Sequence, residues 1–195
     1  MLVERSSYES HPLGRMEWIK LYGALLGKEE VADQLFEEQM LHLASIEEKS
    51  QTGKTAAFFY IGSSGYVNVR KSGDYIAKMI EMAGGTYVPK GLSENENALS
   101  TMNMQLEAFY EAAREADVLI YNSTIDGELR SIDELLAKSS LLADFKAVKE
   151  GNVWCTEKNM FQETMGLGDM ILDMHRIFTE KQPDPQEMVY LYRLE

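Results

Sequence analysis

Apolar positions alternate with polar ones in two distinct rhythms along the chain. Over residues 13–26, Leu13, Met16, Leu21 and Leu25 recur with Trp18 and Tyr22 at helical spacing, preceded by His11 and Pro12 and closed by Gly27. The spacing predicts a helix there. Residues 28–49 place Val31, Leu35, Phe36, Met40, Leu43 and Ile46 on one stripe and acids on the other, which predicts a second helix after a short break. The rhythm then changes. TAAFFYI at 55–61 is a compact apolar run bounded by Gly53 and Gly62, too short for a core helix and suited to a buried strand.

The remainder repeats this alternation. YVNVR at 66–70 reads as a short returning strand, and DYIAKMIEMA as a helix capped by Ser72 or Asp74 and ended by a left-handed Gly84–Gly85 pair. TYVP begins another strand, stopped by Pro89. KGLSENENALS reads as a polar loop, MQLEAFYEAAREA as a helix and DVLIYNS as a strand. One or two short helices are predicted in IDELLAKSSLLADFKAVKEG, a strand in NVWCT and a helix in ETMGLGDMILDMHRIFTEK. MVYLYRLE reads as an edge strand or a docking helix.

Strands alternating with helices make βαβ units, so the expected class is α/β: a three-layer α/β/α, Rossmann-like lobe with a mostly parallel central sheet. In such sheets ligands sit beyond the carboxyl ends of the strands. That nominates three loops, 62–66, 122–126 and 157–165. Their candidate contact residues are aromatic or neutral polar, as a pocket for a bulky ligand requires.

Length and charge narrow the function. A chain of 195 residues supports one main domain, and 45% hydrophobic residues exclude a disordered one. The net charge of -13 opposes nucleic-acid backbones and anionic membrane surfaces, and no apolar run reaches the length of a membrane-spanning helix. A single cysteine, Cys155, leaves the compartment open. The start, MLVERSSYESHPLGR, has neither the basic nor the apolar part of an export signal and reads like the middle of a longer protein.

Several motifs have a bland alternative. Gly53-Lys54-Thr55 imitates the end of a phosphate-binding loop, but Glu48 stands where that motif needs glycine. GSSG at 62–65 follows a strand yet leads into another, so no helix N-terminus points at it; it reads as a ligand-contacting loop or a plain bend. Asp169, Asp173 and His175 share one predicted helix and are metal ligands on paper or solvated charges otherwise. Trp154 points to a pocket or to core, and Arg70 is an anion partner or a solvated cation. No nucleophile–base pair is apparent, so no catalytic residue is assigned.

In order and character, PLGRMEWIKLYGALLGKEEVADQLFEEQ, GYVNVRKSGDYIAKMIEMAGG, EAAREADVLIYNST and AVKEGNVWCT resemble successive segments of the substrate-binding proteins of ABC importers for ferric siderophores, haem and cobalamin, the class III periplasmic binding proteins. The similarity runs over residues 8–180. It implies two α/β lobes joined by a rigid helix, with residues 1–27 as the interlobe helix region and 28–195 as the C-terminal lobe, the N-terminal lobe being absent. It implies a non-enzymatic, extracytoplasmic lipoprotein or periplasmic receptor that works with ABC permease subunits and takes a metal chelate, a ferric siderophore, haem or a corrinoid. No covalent cofactor and no bound metal of its own are implied. The ligand-binding residues carried over are Ser63, Ser64, Tyr66, Asn122, Ser123, Asn159, Phe161 and Gln162; the permease-docking carboxylate is Glu107, with Glu111, Glu115, Glu94 and Glu96 as competitors. Two other classes stay open: a Rossmann-like metal- or nucleotide-dependent enzyme using Asp169, Asp173 and His175, and an interaction domain using its acidic helices.

Overall fold

A computed structural model of the chain describes residues 3–44, 46, 51–92 and 101–195. Two helices open it, α1 (Pro12–Leu26) and α2 (Glu29–Ala44). His11 caps α1 by accepting the Leu13 N–H, and Gly27 ends it at φ +62° in the left-handed region. The two pack closely because Gly23 has no side chain: a Cβ there would lie 2.5 Å from Ala32 Cβ. This small-residue contact corrects the expected stripe on α2. Ala32 is buried, Phe36 and Leu43 are partly buried against the core and Ile46 is buried, but Val31 and Leu35 face solvent.

The sheet follows. Its strands among the described residues are β1 (Thr55–Ile61), β2 (Val67–Arg70), β3 (Thr86–Val88), β4 (Thr101–Met104), β5 (Val118–Tyr121), β6 (Val153–Thr156) and β7 (Leu191–Arg193). The order across it is β4-β2-β1-β5-β6-β7, and β3 also pairs with β1. β1 shares one edge between two neighbours: its first half pairs in parallel with β3, and its second half turns back on itself to pair antiparallel with β2. Its other edge runs parallel to β5, and β5 parallel to β6. β2 and β7 alone run against the other five strands, so the sheet is mostly parallel.

Apolar side chains on the two faces of the sheet form two cores, as period-two strands covered by helices require. On one face Phe58, Ile120 and Trp154 pack with Met16, with Ile76 and Ile80 of α3 (Tyr75–Met82), and with Met170, Ile171 and Met174 of α8 (Leu167–Thr179). On the other, Phe59, Leu119 and Tyr121 pack against Phe109 of α4 (Leu106–Ala113) and Leu135 of α6 (Ile132–Lys138). The Phe59, Phe109 and Phe145 rings follow one another at centroid distances of 4.8 and 5.5 Å. Between these helices lie a helical turn α5 (Ser123–Asp126) and the short α7 (Lys146–Lys149).

Two local alternatives are resolved and two expectations change. Asp74, not Ser72, caps α3, its carboxylate accepting the Ile76 N–H at 2.9 Å. Of the glycine pair only Gly84 is left-handed (φ +89°); Gly85 is there for space, because a Cβ would sit 2.6 Å from the Phe178 ring. Residues 101–104 form an edge strand ahead of α4, and the C-terminal segment is a strand rather than a helix.

Candidate functional site at the carboxyl end of the sheet

The amino end of the sheet is closed by ion pairs. Asp117, just before β5, accepts the Thr55 N–H (2.8 Å), the Thr55 hydroxyl (3.0 Å) and the Lys146 ammonium (2.7 Å), with Lys54 at 3.6 Å. Lys54 and Thr55, the phosphate-loop look-alike, are thus committed to clamping β1 onto β5. Burial alone would push the Asp117 carboxyl up, but these donors outweigh it and hold the pKa at about 2.

At the opposite end, neighbouring strands β1, β5 and β6 deliver the three nominated loops side by side. The first is a hairpin turn: Gly65 donates to Gly62 O (2.9 Å), Gly62 donates to Tyr66 O (3.1 Å), and Gly65 takes φ +78°. Ser63 and Ser64 are lifted into solvent, and the Tyr66 ring is 43% exposed. The second nominated loop is instead the turn α5. Asn122 caps it, its side-chain oxygen accepting from Thr124 N–H (3.1 Å) and hydroxyl (2.6 Å), while its own N–H donates to Phe59 O. Ser123 is buried; its hydroxyl donates to Thr156 O at 2.5 Å and its N–H to Thr156 Oγ1 at 3.0 Å. Both residues brace the strand ends internally, and the exposed apolar group that α5 presents is Ile125, 62% accessible.

The third loop, nominated as 157–165, ends at residue 163 before a 3-10 turn at Thr164–Gly166; it exposes Asn159 and Gln162 and half-buries Phe161. Asn159 is also bound within the loop, its amide donating to Glu163. Phe161 reaches towards β2, where the Arg70 guanidinium stacks on it at 4.8 Å and ion-pairs with Asp74 at 3.6 Å. Arg70 is therefore neither a solvated cation nor a free anion partner; it ties the first loop's returning strand to the third loop. Burial raises the Asp74 pKa, opposed by Arg70, the Ile76 N–H, Arg15 and Lys78, and pushes the Tyr75 hydroxyl up to about 12. Of the eight predicted contacts, Ser63, Ser64, Tyr66, Asn159, Phe161 and Gln162 lie on this open shelf, while Asn122 and Ser123 sit beneath it.

The remaining predicted residues disperse. Asp169 meets His42 (2.5 Å) and Gln39 (3.1 Å) on α2. Asp173 is fully buried, one carboxylate oxygen accepting the Val189, Tyr190 and Leu191 N–H groups at 2.9, 2.6 and 3.2 Å, and His175 Nδ1 lies 3.0 Å from Ala83 O. Each of these three side chains is held by partners of its own, and among the described residues no cluster of three or more His, Cys, Asp and Glu could hold a metal. Trp154 is core, 4% exposed, with its indole N–H on Asn152. Glu107 is exposed in the first turn of α4, which starts after β4 ends level with the hairpin. Glu111 and Glu115 share Arg114 instead, and Glu94 and Glu96 lie outside the described residues. A concavity of about 570 Å³ opens at the β7 edge between Trp154, Leu191, Pro183, Pro185 and Met188, touching the third loop only through Glu157. None of the eight predicted contacts lines it.

Solved structures share this fold. Over 87% of its length and at 20% identity, the chain superposes with a TM-score of 0.69 on 56% of the protein of an ABC-type Fe3+-hydroxamate transport system from Saccharomonospora viridis. The score is 0.70, at 14% identity, for a TroA-like periplasmic binding protein from Veillonella parvula, covering 95% of this chain and 63% of that one. For a periplasmic heme-binding protein of Vibrio cholerae it is 0.66, at 17% identity, over 85% and 64%. The chain has the fold of class III ABC substrate-binding proteins. In sequence it is 30% identical to an uncharacterized lipoprotein of Methanocaldococcus jannaschii and 27% to an uncharacterized protein of the same archaeon, each match covering 87% of this chain. It spans 40% and 50% of the lengths of those two relatives. No family model matches it. Among the described residues, no helix is long and apolar enough to cross a membrane.

Proposed function

We propose that the chain is the ligand-binding C-terminal lobe, with its interlobe helix, of a solute receptor for an ABC importer, and that it binds without catalysing a reaction. The observation that carries this reading is the shelf at the carboxyl ends of β1, β5 and β6, where Ser63, Ser64, Tyr66, Ile125, Phe161 and Gln162 offer neutral hydrogen bonds and apolar surface. Such a surface suits one side of a large, partly apolar metal chelate: a ferric siderophore, haem or a corrinoid. Structural relatives described as an Fe3+-hydroxamate system and a heme-binding protein support that class. A second lobe in a longer protein would supply the facing wall and cover Leu25, Leu26 and Val31 on the α1–α2 hairpin, which are 58%, 74% and 53% exposed. Residues 1–27 are then the interlobe segment and 28–195 the lobe. Glu107 would meet a basic permease surface outside the cytoplasm, as the lipoprotein relative's name accords with.

Tryptophan fluorescence and thermal shift of the full-length protein against ferric hydroxamates, haemin and cobalamin test this. Micromolar or tighter binding of one of them, without a response to ATP or divalent metal, is the expected result; binding of ATP or a metal alone would overturn it. The isolated lobe should bind the same compound much more weakly, because half the burying surface is missing.

A further inference from the structure

We infer that Tyr190 is a positioning residue for the third loop, a role that rests on the proposed function only for its effect on ligand. Tyr190 is 4% exposed and directly precedes the edge strand β7. Its backbone carbonyl accepts the Glu157 N–H at 2.8 Å, at the start of the loop. Its hydroxyl donates to Glu163 Oε2 at 2.6 Å, at the loop's other end. One side chain and its own peptide thus grip both ends of the segment that carries Asn159, Phe161 and Gln162.

The grip is built from both sides. The other Glu163 oxygen accepts the Asn159 side-chain amide, so the bond from Tyr190 orients a carboxylate that in turn orients a shelf residue. Gly166, which follows, leaves the room that the phenol needs: a Cβ there would lie 1.8 Å from the hydroxyl oxygen. Tyr190 is itself fixed, because its N–H donates to the buried Asp173 at 2.6 Å, and Asp173 stands on α8. The remaining bonds that shape the loop are local: Met160 N–H to Glu157 O at 3.3 Å, Gln162 N–H to Asn159 O at 2.7 Å and Gly166 N–H to Glu163 O at 2.9 Å. These local bonds shape the loop's turns but do not fasten it to the body of the lobe. Buried Met160 and the Phe161–Arg70 stack hold its middle. The phenol–carboxylate bond is the polar side-chain tether between the loop and the C-terminal strand.

Lys158 is exposed within the loop and reports its opening to trypsin. In Tyr190→Phe the ring stays and only the bond to a charged acceptor goes, so native-state cleavage after Lys158 should accelerate about tenfold while the global unfolding midpoint stays close to wild type. Glu163→Ala, which also removes the acceptor of the Asn159 amide, should do at least as much, and adding Tyr190→Phe to it should add little, since the acceptor of the phenol is already gone. Glu163→Gln, whose amide oxygen still accepts from the phenol, should lie nearer wild type. In the full-length protein, the affinity for ferrioxamine B, or for whichever of haemin and cobalamin the wild type binds, should fall about tenfold in Tyr190→Phe. Unchanged cleavage in Tyr190→Phe, or fully additive effects, would overturn the tether. Faster cleavage with unchanged affinity would overturn the positioning role. If the wild type binds none of the three compounds, the proposed function fails while the cleavage series still decides the tether.

Discussion

Asp117 permits a quantitative prediction, because its environment is defined on every side. Its carboxylate is held near pKa 2 instead of its ordinary 3.8, and its side chain is only 13% exposed. At about 1.4 kcal/mol per tenfold change in proton affinity, that depression is worth about 2 kcal/mol of folding stability. For a carboxyl whose folded pKa is lowered, the stability is fully present above the unfolded value and lost as pH falls from about 4 towards 2. Asp117→Asn keeps the shape and an acceptor for Thr55 but loses the charge facing Lys146 and Lys54. Urea unfolding should therefore show Asp117→Asn to be about 2 kcal/mol less stable than wild type at pH 7, which for a chain this size is a Tm lower by about 4–8 °C. The gap should shrink to about half at pH 3, where the unfolded wild type is mostly protonated. Other acids titrate in both proteins, so only the difference carries the test. Asp117 lies at the amino end of the sheet, so ligand affinity should not change. A difference between variants that is the same at pH 7 and pH 3 would refute the reasoning.

Three further outcomes follow from single contacts. Gly85→Ala drives a Cβ to 2.6 Å from the Phe178 ring and should cost about 1–3 kcal/mol in chemical denaturation, whereas Gly62→Ala, with nothing nearer than 3.9 Å, should be close to neutral. Tyr66→Ala removes a 43% exposed ring and should leave Tm within a degree or two while weakening chelate binding about tenfold in a fluorescence titration. Ser123→Ala leaves the buried Thr156 carbonyl without that donor and should destabilise by about 1–3 kcal/mol, lowering affinity only as far as the shelf loosens.

Much of the scaffold could be read from the chain because it is written in local periodicity. Residues 55–61, the helix after His11-Pro12 and the apolar run before Asn122 each carry their own signal and boundary. β4 carries none: Thr-Met-Asn-Met is an edge strand whose one partner among the described residues is β2, and half its positions are polar and exposed. The stripe on α2 misled because close packing at Gly23 and Ala32 outweighs larger apolar residues when two helices approach within touching distance of their backbones. At the candidate site, the meeting of the three loops was legible because neighbouring parallel strands end on the same side of the sheet. Which side chains stay free was not, since the partners of Asn122 and Ser123 depend on the fall of strand ends, and the tether from Tyr190 to Glu163 spans 27 residues.

The most direct test of a ligand shelf at the carboxyl ends of β1, β5 and β6 is a backbone amide NMR titration of the full-length protein with gallium(III) ferrichrome, a diamagnetic ferric-hydroxamate mimic, and with haemin and cobalamin. The expected result is that one of them shifts residues 62–66, 122–126 and 157–163 together, with Thr55 and Asp117 at the far end unmoved. Perturbation centred on the β7-edge concavity around Trp154 and Met188, or on the amino end of the sheet, would contradict it.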